Sequence, residues 1–303
     1  MSHSHHPHAH GAHSDTSLRR LLLALGLILA FMALEVAVGI LAHSLAVVSD
    51  AAHMLTDAAA IGLSVVALRM ARRPAAGAMT FGWRRIEIIA AAVNGATLLV
   101  LAVAIVISAV QRLISPQTVS AWWMVGVALA GIAVNALASL TLAGAGRQSL
   151  NIEGVYQHVL TDLFAFIGTA IAGVVILLSG FYRADPIASL VVAGLMGLSA
   201  YRLLRDSGRV FMEAAPPGLD PQQIGPALAA WPQVVEVHDL HIWEVSSGFP
   251  ALSAHVLVQA GADCHALRRE LEGLLRERFA LEHTTLQVDH AGGAELIELE
   301  LRR

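Results

Sequence analysis

Six apolar stretches, at about residues 20–42, 45–70, 86–112, 121–144, 154–179 and 185–205, fill most of the first two thirds of the chain. Each is near the roughly 20 residues that a helix needs to cross the hydrocarbon of a bilayer. In that medium every backbone N–H and C=O must find an internal partner, so stretches of this length and polarity are confined to helices. Composition agrees. Of the 303 residues 56% are hydrophobic and 14% charged, against about 45–50% and 25% in a soluble domain. The joints His43-Ser44, Pro116-Gln117 and Gly180 to Pro186 are short, which implies antiparallel neighbours in a bundle of six transmembrane helices.

Arginine placement gives an orientation. Arg19 and Arg20, then Arg69, Arg72, Arg73, Arg84 and Arg85, then Arg147, and finally Arg202, Arg205 and Arg209 fall on one side of the spans, while only Arg112 and Arg183 fall on the other. The positive-inside rule then places both termini in the cytoplasm, as an even number of spans requires. The chain has no lysine, and therefore no Gly-x-x-x-x-Gly-Lys loop for nucleotide hydrolysis. A net charge of −4 gives no reason to invoke nucleic acid. The single cysteine, Cys264, excludes an internal disulfide framework and a cysteine-based zinc finger. No signal peptide is legible at the start of the sequence. Residues 1–17 carry His3, His5, His6, His8, His10 and His13, and read as a disordered histidine-rich tail able to hold metal loosely. A purification tag is the other reading, against which the interrupting Ser, Pro and Ala residues speak.

After a membrane domain expected over residues 18–209, the hydrophobic period shortens. Asp220-Pro221 reads as a helix N-cap followed by proline at the first helical position. Val234–Val245 and Ala251–Gln259 read as strands around the turn Ser246-Ser247-Gly248. Asp263 caps a helix to about Phe279 with Leu267, Leu271, Leu274 and Leu275 on one face, and Thr285–Asp289 is a third strand. Residues 210–303 are thus expected to form a cytoplasmic α+β domain of order α-β-β-α-β.

Within the apolar spans stand two matched sets of ionisable residues, His53 with Asp57 and His158 with Asp162. Each is His-x-x-x-Asp, so each pair shares a helix face, and Asp50 falls on the stripe of Asp57. A carboxylate at mid-membrane costs about 2.5–3.5 kcal/mol on insertion scales, and such residues mark ion or proton paths. Two imidazoles and two carboxylates make a tetrahedral N2O2 set that suits zinc, whereas magnesium and calcium prefer more oxygen ligands. The charge of the ion cancels that of the two aspartates. Emptied, the site approaches neutrality by taking up protons, so metal and protons are alternative occupants. Hydrogen-bonded locking of helices is the plainer alternative, and two matched pairs in separate spans argue against it. Axial haem ligation by His53 and His158 is a rival use that leaves the aspartates without a role. Glu35, Asn94 and Asn135 are further polar residues within spans, read as bonds between helices, with lining of the ion path as the alternative. Trp122 and Trp123 open the fourth span as an interfacial anchor.

The stretches Ser49-Asp50-Ala51-Ala52-His53-Met54-Leu55-Thr56-Asp57, Thr80-Phe81-Gly82-Trp83-Arg84-Arg85-Ile86-Glu87, His158-Val159-Leu160-Thr161-Asp162 and His238-Asp239-Leu240-His241-Ile242-Trp243, set on six spans, resemble the cation diffusion facilitators, in particular the bacterial zinc exporters. The resemblance covers nearly the whole chain. It implies a homodimeric secondary transporter of a bacterial inner membrane, not an enzyme, which exchanges cytoplasmic zinc for external protons by alternating access. It places the transport site at His53, Asp57, His158 and Asp162, with Asp50 as a candidate for the access path. It also implies a metallochaperone-like cytoplasmic domain in which zinc, as a regulatory ligand, stabilises dimer contacts through His238, His255, His265 and Asp289. Gln287 stands where a histidine is usual, a loss for which His241, His283 and His290 are candidate replacements. Some members hold a further metal in the loop between spans two and three; Met79 and Trp83 stand here in place of its histidines, so that site is expected to be absent. Zinc, cadmium and cobalt share tetrahedral preferences, so the residue types do not rank them. A passive channel, and a metal-responsive regulator or scaffold, are the competing functions.

Overall fold

The computed structural model describes residues 10–41, 45–115, 120–145 and 149–291. The joints His43-Ser44 and Pro116-Gln117, Arg147 and the histidines before residue 10 lie outside them. The chain divides into two compact units, Met1–Gly208 and Arg209–Arg303.

The first unit is built from α1 (His10–Leu41), α2 (Leu45–Ala71), α3 (Ile86–Ile114), α4 (Ala121–Ala143), α5 (Leu150–Ser179) and α6 (Ala184–Phe211). The shortest, α4, has 23 residues and a length of about 35 Å, enough for a hydrocarbon core of about 30 Å. Five helices, all but α2, show a membrane-length apolar window among the described residues; in α2 the apolar stretch described is the shorter Ala58–Ala71. Several helices run past the spans read from the sequence, most of all at the start of α1. α1 starts at His10, inside the segment expected to be disordered, because extending an existing helix costs far less than nucleating one and no proline lies beyond Pro7 to stop it. α6 starts before Pro186, since a proline in the first turn forfeits no helical hydrogen bond. Gly180, at φ 70°, ends α5 in the left-handed conformation that suits glycine.

Leu21 and Ile28 of α1, Ile61 and Val65 of α2, Leu142 of α4 and Ile152, Val155 and Val159 of α5 form one buried cluster. Leu98 and Ala102 of α3 pack with Val192, Met196 and Ala200 of α6 in another. α4 and α5 meet through glycine: a Cβ added at Gly131 would collide with the Phe166 ring, and one at Gly173 would lie 2.6 Å from Val125. Small residues at such crossings allow the close backbone approach on which helix packing in lipid depends. At one end of the unit Arg112 of α3 pairs with Asp185 of α6 at 3.3 Å.

The second unit contains α7 (Pro221–Ala229), β1 (Val234–Ser246), β2 (Phe249–Val258), α8 (Cys264–Phe279) and β3 (His283–His290), which is the α-β-β-α-β order expected. The Asp220 carboxylate accepts from Gln222 N, and that of Asp263 accepts from His265 N and Ala266 N, so both N-caps are made. The sheet order is β1-β2-β3, with β1 antiparallel and β3 parallel to β2. One sheet face supplies Ile242, Leu252, Ala254, Val256, Val258 and Leu286 to a core closed by Ile224 and Leu228 of α7 and Leu267, Leu271 and Leu275 of α8. The alternation of strand side chains sends His238, His255 and Gln287 to the opposite face.

Candidate metal sites

In α5 the i, i+4 spacing does what helix geometry requires: His158 and Asp162 share a face, with Nε2 and Oδ2 3.8 Å apart. Both are buried, at 2% and 8% exposure. α2 is helical through positions 50, 53 and 57, but the side chains of Asp50, His53, Asp57 and Glu35 lie outside those described. The structure therefore shows one half of the expected N2O2 set.

Around that half lies a polar framework. Asn151, fully buried and seven residues before His158, donates to the backbone carbonyl of Ser64 at 2.9 Å. Asn94 of α3 donates to the Ser64 hydroxyl at 3.2 Å. One serine of α2 thus ties together three helices. Asn94 makes the interhelical bond expected of it, whereas Asn135 donates to Gly131 O in its own helix at 3.1 Å. Next to His158, Gln157 donates to Glu153 Oε1 at 2.6 Å and accepts from Ser199 Oγ of α6 at 3.4 Å. The sequence reading assigned no role to Ser64, Asn151 or Ser199; an asparagine at the interval of two helical turns from a histidine was the available signal for Asn151.

In the second unit, His238 and His255 are register partners across β1 and β2, with rings in edge contact at 5.4 Å. His238 Nδ1 lies 3.3 Å from Glu236 Oε1. His255 pairs in register with Gln287 on its other side, and Gln287 donates to Asp289 Oδ2 at 2.8 Å. His238, His255 and the Gln287–Asp289 pair thus follow one another across the exposed face. His265 stands at the start of α8, where its N–H is committed to Asp263; no described side-chain contact joins it to the other three. Among the described residues, no three His, Cys, Asp or Glu side chains are gathered closely enough to hold a metal as they stand.

Of the three candidate replacements, His283 packs its ring on Phe249 at 5.4 Å. His290 Nε2 lies 3.0 Å from Ala262 O and 3.5 Å from Cys264 Sγ. Only His241 reaches the His255 neighbourhood, through Asp239: His241 Nε2 is 2.8 Å from Asp239 Oδ1, and His255 Nε2 is 3.9 Å from Asp239 Oδ2. A register shift between His238 and His241 puts Asp239 at φ 53° and turns its carboxylate toward both rings. The hydrogen bond from His241 and the charges of His241, His255 and His238 hold that carboxyl below its ordinary range.

The family model for the cation efflux transmembrane domain matches residues 21–212, and that for the cation efflux protein cytoplasmic domain matches 216–291. The chain is similar to the zinc transporter ZitB of Escherichia coli strain K12, at 37% identity over 96% of this chain and 93% of the relative. It is similar also to the cadmium, cobalt and zinc/H(+)-K(+) antiporter of Bacillus subtilis strain 168, at 34% identity over 94% of this chain and 91% of the relative. Among solved structures it resembles the metal-bound C-terminal domain of the CzcD transporter from Cupriavidus metallidurans, at 31% identity, a TM-score of 0.22, and coverage of 23% of this chain and 97% of that one. Apolar helices of membrane length, a buried histidine–aspartate pair on α5 and the two domain matches in sequence order place this chain in the cation efflux family, as a multi-pass membrane transporter of metal cations and not an enzyme.

Proposed function

We propose that the chain exports zinc from the cytoplasm in exchange for protons, by alternating access, at a site made of His53, Asp57, His158 and Asp162. The observation that carries this reading is the Asn151–Ser64 bond, at 2.9 Å, taken with the buried His158–Asp162 pair. Ser64 lies seven residues after position 57, and Asn151 lies seven before His158. Three reversals of direction separate α2 from α5, so the two run in opposite senses. Seven residues from that bond, about 10.5 Å along each axis, positions 57 and 158 reach a common depth. The two His-x-x-x-Asp stretches are thereby in register to share one ion.

Charge supplies the coupling. Zinc neutralises two aspartates, and in its absence protons on the same four side chains do so, which makes the two cargoes mutually exclusive in a low-dielectric site. Asp50, on the stripe of Asp57, is assigned to the access path. With arginines concentrated at one end of the spans, both termini lie in the cytoplasm of a cell with this protein in its inner membrane. The chain works as a homodimer in which zinc, held by His238, His255 and Asp289 of the exposed sheet face together with His265 at the start of α8, stabilises contacts between copies. The zinc transporter ZitB, at 37% identity, supports zinc as cargo. A broader range that includes cadmium and cobalt is the second reading, favoured by the Bacillus antiporter at 34% identity.

Proteoliposomes holding the full chain test this. An imposed pH gradient drives zinc uphill, a protonophore collapses the flux, and Asp57→Ala or Asp162→Ala abolishes it. Flux indifferent to the protonophore identifies a passive channel, and flux that persists in both variants refutes the site. No flux under any gradient leaves a metal-responsive regulator. Competition by cadmium and cobalt for the same flux separates the narrow range from the broad one.

A further inference from the structure

The loop that joins α2 to α3 carries a sequence pattern to which the transport chemistry assigns no task. It leaves the apolar region at Ala71 and returns at Ile86. From Ala58 to Ile86 the chain has five arginines, Arg69, Arg72, Arg73, Arg84 and Arg85, and no Asp, Glu or Lys. Arg69, Arg72, Arg73 and Arg84 are exposed. So are three large apolar side chains at alternate positions, Met79 at 44%, Phe81 at 43% and Trp83 at 39%. Aqueous loops seldom expose such a set together.

The loop is also folded. Ala76 and Met79 exchange both backbone hydrogen bonds, at 3.2 and 3.1 Å, around Gly77, whose φ is 56°. Met79 O then accepts from Gly82 N at 2.9 Å. Gly82 has φ 71°, and a Cβ there would lie 2.9 Å from Arg73 O, so the two arms of the loop touch at a point only glycine allows. The apolar and the cationic side chains are therefore presented by a preformed backbone at the ends of two membrane helices. Trp suits the boundary between headgroups and acyl chains, and apolar side chains such as Phe and Met suit its acyl side. The guanidinium fork suits a phosphate, which it binds through paired N–H groups.

We propose that this loop is a binding surface for anionic phospholipid, with Met79, Phe81 and Trp83 seated at the acyl boundary and Arg73 and Arg84 on the headgroup phosphate. Charge complementarity selects the partner: a patch of one sign at the membrane surface attracts phosphatidylglycerol or a similar anionic lipid over a zwitterionic one.

The full chain, purified in detergent, is titrated with phosphatidylglycerol or phosphatidylcholine, and bound lipid is counted by native mass spectrometry with inorganic phosphate as a soluble competitor. Phosphatidylglycerol is bound in preference, and phosphate does not displace it. The preference falls by about tenfold in Arg73→Gln/Arg84→Gln, each cation contributing a few-fold, and is unchanged in Arg183→Gln at the joint between α5 and α6. Equal binding of the two lipids by the unmodified chain overturns the proposal, as does equal loss in Arg183→Gln or displacement by phosphate. Trp83→Ser weakens binding of both lipids alike; unchanged binding removes the aromatic contact from the proposal. Arg73→Gln alone, with an unfolding midpoint equal to that of the unmodified chain, must show part of the loss, so a misfolded double variant does not decide the matter.

Discussion

On α5, Nε2 of His158 and Oδ2 of Asp162 stand 3.8 Å apart, both buried and one helical turn from each other. That is beyond hydrogen-bond length. Two ligands each about 2.0–2.2 Å from a tetrahedral zinc ion stand about 3.3–3.6 Å apart, so a small rotation of either side chain brings the pair to ligand spacing. Asp162→Asn keeps the size and removes the charge that offsets the ion. Zinc flux in proteoliposomes is expected to fall to background in Asp162→Asn while the protein still folds and inserts; flux above a tenth of the unmodified rate contradicts this role.

The bonds at Ser64 make a separate prediction about stability. Asn151→Leu removes the buried donor to Ser64 O and leaves the carbonyl with its helical bond. Interhelical hydrogen bonds in membranes contribute about 0.6 kcal/mol on average and up to about 1.7. A loss in that range is expected from reversible unfolding in detergent, together with weaker zinc binding, because the register of α2 on α5 loosens.

Gly131 sits under the Phe166 ring. Gly131→Ala inserts a methyl where backbone and ring meet, at a cost of about 1–3 kcal/mol for overpacking. Phe166→Leu added to it restores part of the loss. If the double variant is no more stable than Gly131→Ala, the ring is not what the methyl meets.

For the exposed sheet face, zinc at a hundred times its Kd stabilises the folded state by about 2.7 kcal/mol. The unfolding midpoint of the full chain is expected to rise with zinc and to fall with a chelator. The cytoplasmic part of that response is expected to vanish in His238→Ala/His255→Ala, read by hydrogen exchange at β1 and β2. Protection that still responds to zinc in the double variant places the ligand elsewhere.

Asp263 caps α8, and the bonds it accepts from Ala266 N and His265 N hold its carboxyl below the ordinary range. A carboxyl whose folded value is depressed contributes stability above its unfolded value and loses it as pH falls through the folded one. Local protection of α8 is expected to weaken from the ordinary carboxylate range downward. Asp263→Ala shows the weaker protection at neutral pH and less further loss on acidification. A variant with an unchanged acid response shows that the cap is not the titrating group.

Much of this was legible without coordinates, for identifiable reasons. Apolar length forced the helices, and proline after an aspartate forced the start of α7. Alternation sent His238 and His255 to one strand face. The sequence misjudged residues that act through neighbours. Asn135 looks like Asn94 in the chain, yet one bonds its own helix and the other reaches Ser64; only the rotation of each helix in the bundle separates them. His241, His283 and His290 were equivalent as histidines. A bulge at Asp239 turned one toward His255, while Phe249 and Cys264 engaged the others.

What the sequence determined by itself was local and repetitive: the bilayer-length apolar spans, the i, i+4 companionship of His158 with Asp162, the caps and the strand faces. Each is set by backbone geometry and solvent, over distances of a few residues. What only the tertiary structure decided was which residues far apart in sequence share a neighbourhood. Ser64 between Asn94 and Asn151, Gly131 beneath Phe166, and Asp239 between His241 and His255 follow from how helices rotate and how strands slip in register, and packing fixes both through contacts that no short stretch of sequence contains.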